Sequence, residues 1–243
     1  MLTVGAALAQ LYMIGIRRVP RAWPSSITAA FLGGCTVLVV TSSAPSSSFT
    51  GHMLEHVLVG MVAPLLLVLG APVTLALRTG HGRSVRRLLR TPLVQRLTHP
   101  VVAWLVFGVT LVGLVFSPLL AWSVRHDSVH ALVHVHFLVA GAMFMSAMLA
   151  VDPIPHPLTH GARLLAVLLA VPFHAIVGMA LATAAHPLYP SVYPSLSDQR
   201  SAAAVLWASG ELVTLVIAAI VGRQWWLADQ RAAARFDRSF SRQ

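Results

Sequence analysis

Seven apolar stretches follow one another along the chain, at residues 1–16, 27–42, 52–77, 99–116, 129–150, 161–184 and 202–222. A helix needs about 20 predominantly apolar residues to cross the hydrocarbon core of a bilayer, with about 17 as the lower limit. The pattern therefore predicts an all-α, polytopic membrane bundle of about seven transmembrane helices. Residues 1–222 form its single transmembrane domain, and residues 223–243 form a short basic tail. Only 10% of the 243 residues are charged and 57% are hydrophobic. A soluble domain carries about a quarter charged residues, and disorder needs low hydrophobicity. Both a water-soluble enzyme of ordinary type and a disordered chain are excluded. The first stretch begins at Met1, has no basic residue before its apolar run and no good cleavage site after it. It reads as a retained helix, not a signal peptide; without it the count is six.

The basic residues test this division. All 17 are Arg. With seven spans, fifteen of them fall on one side: Arg17, Arg18 and Arg21, the cluster from Arg78 to Arg96, Arg163, and those from Arg223 onwards. Only Arg125 and Arg200 fall on the other. Basic residues stay on the cytoplasmic side of a membrane, so the N-terminus is expected outside and the C-terminus in the cytoplasm. Trp23, Trp225 and Trp226 stand where inner interfacial anchors belong. The same bias accounts for the formal net charge of +10, and no nucleic-acid partner is expected. The partner the composition demands is a lipid bilayer.

The outer loops, Ser42–Thr50, Ser117–Ser128 and Ala185–Ser201, are short and rich in Ser, Pro, His and Tyr. They leave no room for a sizeable soluble domain. The single cysteine, Cys35, excludes an intrachain disulfide. With no glycine-rich phosphate loop, paired-cysteine motif or nucleophile elbow, no catalytic residue is assigned and no enzyme is expected. Any chemistry belongs between the helices or at their outer mouths. Pro64, Pro72 and Pro172 lie in or beside apolar runs and are expected to shape helices there.

The twelve histidines are spread unevenly with depth. His81, His99, His156 and His160 belong to inner segments. His52 and His56 open the third span from outside, four residues apart and so on one helical face. His130 and His134 repeat that spacing in the fifth span, with His126 one turn earlier. Four helical residues rise about 6 Å, so both pairs sit at similar depths. If the two helices are neighbours, four imidazoles converge. Imidazole ligates copper, zinc and iron; histidines near the interface also join helices simply by hydrogen bonds. The metal set read from this pattern is His52, His56, His130 and His134, with His126. Met53, Met61 and Cys35 add soft sulfur donors in principle. Glu55, between the first two histidines, can orient a ligand imidazole or stay solvated. Glu211 lies mid-span, where a carboxylate finds a partner or stays protonated; His174, near the middle of the sixth span, is its candidate partner.

These residues also carry a resemblance. The run Phe49-Thr50-Gly51-His52-Met53-Leu54-Glu55-His56 is followed by Ala63-Pro64 and Gly70-Ala71-Pro72. Next in order come His99-Pro100, then His130-Ala131-Leu132-Val133-His134-Val135-His136-Phe137-Leu138 with Gly141. Last are Pro187-Leu188-Tyr189-Pro190, Asp198-Gln199 and Leu206-Trp207. Over nearly its whole length the chain resembles the CtaG family of cytochrome c oxidase assembly factors, the caa3-type membrane group of Gram-positive bacteria. The resemblance implies a membrane assembly factor for a haem-copper oxidase, with oxidase subunits as partners and copper handled at the outer face. The family's signature histidines map onto His52, His56, His130 and His134. Two other readings stay open: a haem-binding redox protein with His56 and His134 as axial ligands, and a metal-free scaffold contacting oxidase subunits.

There are departures. Where many relatives have Trp-His-x-Pro, Phe116-Ser117-Pro118 keeps only the proline. Met143-Phe144-Met145 replaces a tryptophan-rich end, and Ala203 or Ala204 stands for a glycine after the Asp-Gln pair. Some actinobacterial relatives fuse this domain to a copper-resistance-like membrane domain; here it is expected to stand alone.

Overall fold

The computed structural model describes residues 1–19, 22–43, 47–80 and 82–240; Arg21, His81 and Arg242 lie outside the described residues. The regular secondary structure of the described residues is helical, with no sheet. Five helical runs are long and apolar enough to cross a membrane: Ser25–Ser42, Phe49–Arg78, Asp127–Leu149, His160–Thr183 and Leu196–Arg235. A sixth is a bent pair, Pro100–Val115 and Leu119–Arg125, whose axes meet at 73°. The bend falls at Ser117-Pro118, since proline cannot continue the preceding hydrogen-bond ladder. Helix α1 (Leu2–Arg17) is apolar but has 16 residues. At 1.5 Å per residue it is about 24 Å long, short of the roughly 30 Å core. The molecule is thus a multi-pass helix bundle with five long apolar helices, six with the bent pair.

After α2 (Ser25–Ser43) comes α3 (Phe49–Val57), and then a π-helical turn at Leu58–Val62 leading into α4 (Ala63–Leu69). Pro64 explains the π turn. Its ring would strike the carbonyl four residues back, that of Gly60, and it has no N–H to bond it. Widening the turn relieves both problems, which is how such bulges arise inside helices. Gly60 and Pro64 are covered by α10 (Asp127–Leu149) through Gly141. A Cβ on Gly141 would lie 2.1 Å from the Gly60 carbonyl oxygen and 2.8 Å from Pro64 Cγ. Glycine is the residue this approach permits, and it draws α10 against the third span.

Ala71, in the left-handed region at φ 49°, ends α4, and Pro72 opens α5 (Pro72–Arg78). The first amides of α5, those of Val73 and Thr74, donate to the Asp152 carboxylate at 3.1 and 2.7 Å. At the same end Ala150, φ 46°, closes α10. The terminal carbonyls of Met148 and Leu149 accept from Arg163 Nη1 at 3.3 and 3.1 Å, and Arg163 also donates to Gln224 at 2.7 Å. Gln224 Nε2 returns a bond to the Leu149 carbonyl at 3.0 Å. Arg163 is only 4% exposed.

Beyond α6 (Gly82–Leu89) and α7 (Pro92–Leu97), the bent pair is α8 (Pro100–Val115) and α9 (Leu119–Arg125). The sixth apolar stretch divides into α11 (His160–Leu168) and α12 (Val171–Thr183), broken just before Pro172. The last helix, α13 (Leu196–Phe240), has 45 residues. It packs on α3 and α12 near its start and on α11 further on, and is helical through residues 223–240 as well.

Candidate metal centre

His52 and His56 sit one turn apart on α3, and His130 and His134 one turn apart on α10. Because α10 packs along the π turn and α4, the two pairs face each other at one end of the bundle. One of the Nε2 atoms of His52 and His56 donates to the other across 2.9 Å. The rings of His52 and His130 stack with centroids 5.1 Å apart. His56 meets His134 edge-on at 5.1 Å, and His130 lies 4.2 Å from His134. His52, His56 and His134 are buried and His130 half-buried.

Two overlapping groups bring their ligand atoms within 4.8 Å of one another: His52, His56 and His130, and Glu55, His130 and His134. Donors bonded to one tetrahedral ion at about 2.0–2.2 Å each lie about 3.3–3.6 Å apart, so small side-chain rotations would close the groups around an ion. Buried polar atoms are almost always hydrogen-bonded. Here Nδ1 of His56, Nε2 of His130 and Nε2 of His134 are buried without a partner. A neutral imidazole nitrogen in that state offers a lone pair, and nitrogen donors beside one carboxylate suit a transition-metal ion. The residues fit a metal.

The segment between α12 and α13 roofs the cluster. Phe49 is fully buried, stacked on Tyr193 at 4.8 Å and edge-on to Tyr189 at 5.8 Å. The Tyr193 ring lies 5.9 Å from that of His52. The Tyr189 hydroxyl donates to the Val115 carbonyl. Burial pushes both phenols up to about 12, and for Tyr193 the negative charges of Glu55 and Asp198 add to this. Both are neutral at ordinary pH.

Asp198 fixes where α3 begins. Its carboxylate accepts from the backbone N–H of Phe49 at 2.7 Å and of Thr50 at 3.1 Å, and from the Thr50 hydroxyl at 2.6 Å. A carboxylate is well placed there against the positive end of the helix dipole. Ser48 caps the same turn through the Gly51 N–H. Gln199 accepts from Leu188 N–H at 2.8 Å and donates to the Leu181 carbonyl at 2.9 Å, tying the roof to α12.

The other residues singled out in the sequence are placed as follows. His126 is exposed, with Nδ1 3.0 Å from the Trp122 carbonyl, and belongs to neither group. His136 faces away and is bonded to Thr110 at 2.8 Å. Met53 and Cys35 are buried in the apolar core. Glu211 and His174 do not bond each other: Oε1 of Glu211 and Nδ1 of His174 are both buried without a partner. Sequence reasoning left Glu55 between ligand support and solvation; it is buried, with its carboxylate among the donors. It missed the roles of Tyr193 and Asp198. The Asp198-Gln199 pair stood out as a motif, but nothing local shows that it reaches a helix start 148 residues away.

Comparison with known proteins gives a consistent result. The chain is 34% identical to uncharacterized proteins of Mycobacterium bovis and Mycobacterium tuberculosis, over 96% of its own length and 40% of theirs. It is also 34% identical to one of Mycobacterium leprae, over 93% of its length and 38% of that relative's. The chain therefore spans about two fifths of the length of these relatives. No solved structure matches it. The model of the cytochrome c oxidase caa3 assembly factor family matches residues 10–228. With that match over most of a multi-pass bundle of membrane-spanning helices, the chain belongs to the CtaG family of cytochrome c oxidase caa3 assembly factors.

Proposed function

We propose that this protein binds copper in the His52, His56, His130, His134 and Glu55 cluster and delivers it to a haem-copper oxidase at the outer face of the membrane. Copper is cargo in this reading. The observation that carries it is the pair of buried, unpartnered ring nitrogens on His130 and His134, beside the ligand atoms of His52, His56 and Glu55. Leaving such atoms unbonded costs about 1–3 kcal/mol each, a cost that a bound metal removes. The split of the arginines supports an outward-facing cluster, with α1 and the bent pair completing seven crossings, the N-terminus outside and a basic cytoplasmic end after residue 222. His126, exposed and bonded to its own turn, stands at most at the entrance.

The haem alternative is disfavoured by space. The cavity that His56 lines has a volume of about 20 Å³, whereas pockets for ligands of even drug size run to about 300–1,000 Å³. A metal-free scaffold leaves the unbonded nitrogens without a reason.

The test is metal analysis of the oxidase from cells carrying His130→Ala with His134→Ala, grown at limiting copper. The oxidase should lose copper to a greater extent than haem, and excess copper should restore it by mass action. Full copper occupancy, with the variant present at normal levels, would overturn the delivery role.

A further inference from the structure

His56 belongs to two environments. On one side it meets His52; deeper in the bundle its ring lines a small cavity together with Met61 of the π turn, Thr110 of α8 and His174 of α12. A volume of about 20 Å³ holds a single water-sized occupant. The remaining wall is apolar. His174 is 2% exposed, and its Nδ1 has no hydrogen-bond partner; nor has Nδ1 of His56. Two buried imidazoles with open nitrogens thus border one cavity. His174 is held firmly: a Cβ on Gly210 of α13 would come within 2.7 Å of its ring, and Phe107 packs on it at 5.9 Å. Thr110 is committed elsewhere, to the Val106 carbonyl and to His136. Met61 is 5% exposed and brings the one thioether of the lining.

The donors and their charge select the occupant. Two imidazoles and a thioether form a soft, neutral set, which favours cuprous copper over harder ions. No acidic residue lines the cavity. The solvation cost of burying an ion grows with the square of its charge, so a divalent ion is penalised about four times as heavily as a monovalent one. The outer cluster, with Glu55 among its donors, has no such restriction.

We propose that this cavity is a second, deeper station for one cuprous ion, ligated by His56 Nδ1, the Met61 sulfur and His174 Nδ1. It rests on the copper reading of the outer cluster and adds a direction to it. Because His56 belongs to both positions, cargo passes between them by exchanging ligands one at a time; copper keeps its oxidation state, and the His56 ring proton moves to the nitrogen that the ion leaves.

The experiment loads the full-length protein in detergent with Cu(I) under anaerobic conditions, then reads copper per chain and the X-ray absorption fine structure. The wild type should bind a second copper ion beyond the outer one and show a sulfur neighbour. Met61→Leu, which conserves volume, should lose the second ion and the sulfur signal, whereas Met53→Leu should lose neither. His174→Gln should lose the second ion as well, which decides the matter if Met61→Leu folds poorly. Unchanged copper and an unchanged sulfur signal in Met61→Leu would overturn the deeper station and leave the outer site standing, provided His130→Ala with His134→Ala lowers copper. Sulfur-bound copper retained at full stoichiometry in that double variant would instead overturn the outer site alone. A wild type that binds no Cu(I) would overturn both.

Discussion

At the histidine end of the bundle three buried ring nitrogens have no partner, whereas at the opposite end buried polar groups are committed to helix termini. Asp152 caps α5, and Arg163 and Gln224 cap the last carbonyls of α10. Among the described residues only Nε of Arg163 is left over there. The histidine end has a cap of the same kind, Asp198 on the start of α3. Each end therefore uses a distant aspartate to fix a helix start, and only one end adds polar groups that fix nothing. A buried polar group that bonds a helix terminus replaces water lost on folding. One that bonds nothing opposes folding and is retained for another purpose. On the copper reading proposed above, the difference separates residues that hold the bundle from residues kept ready for a ligand.

Substitutions at the two ends should separate stability from metal binding in opposite ways. The largest effect is expected for Arg163→Met. It removes charged hydrogen bonds from two carbonyls and from Gln224, at a cost on the order of 3 kcal/mol. Denaturant unfolding in detergent measures the loss, while copper per folded chain stays at the wild-type value; a parallel loss of copper would show that the two ends are not independent. Asp198→Ala should come next, at about 1–2 kcal/mol. Because it frees the turn that carries His52, copper retention should fall several-fold as well, and Asp198→Asn should recover part of both. An Asp198→Ala protein with wild-type copper affinity would mean that the cap does not position the site. The smallest effect on stability is expected for His134→Leu, within about 1 kcal/mol of wild type. No hydrogen bond is lost there, yet competition with a copper chelator should show weaker retention. A large destabilisation would place His134 with Arg163 among the residues that hold the fold.

The helical class and the facing of the two histidine pairs were legible because both rest on short-range regularities, apolar run length and four-residue spacing. The span count was less so. The sequence places a span at 99–116, where α8 lies, but reads Ser117–Ser128 as an outer loop, where the chain turns by 73° into a second short helix, α9. The sequence expects Glu211 beside His174, but the two depths coincide without the side chains meeting: His174 turns to the cavity under His56. Depth along a helix can be counted from sequence, whereas rotation about its axis depends on neighbours. The same limit hid Tyr193 and Asp198, whose contacts join segments far apart in the chain.

The π turn between His56 and Pro64 has a consequence for lineage. Each residue added to or removed from a helix rotates everything before it by about 100° relative to everything after it. Gly60 and Pro64 are locked to Gly141 on one side of the turn, and His52 and His56 face α10 on the other. A one-residue deletion anywhere from Val57 to Ala63 would swing both histidines off that face, and an insertion would swing them the other way. Length in this interval is therefore expected to be constrained as tightly as the histidines themselves. Descendants of the common ancestor that keep the cluster should align without a gap there, while the stretch between α5 and α8 is free to grow and shrink.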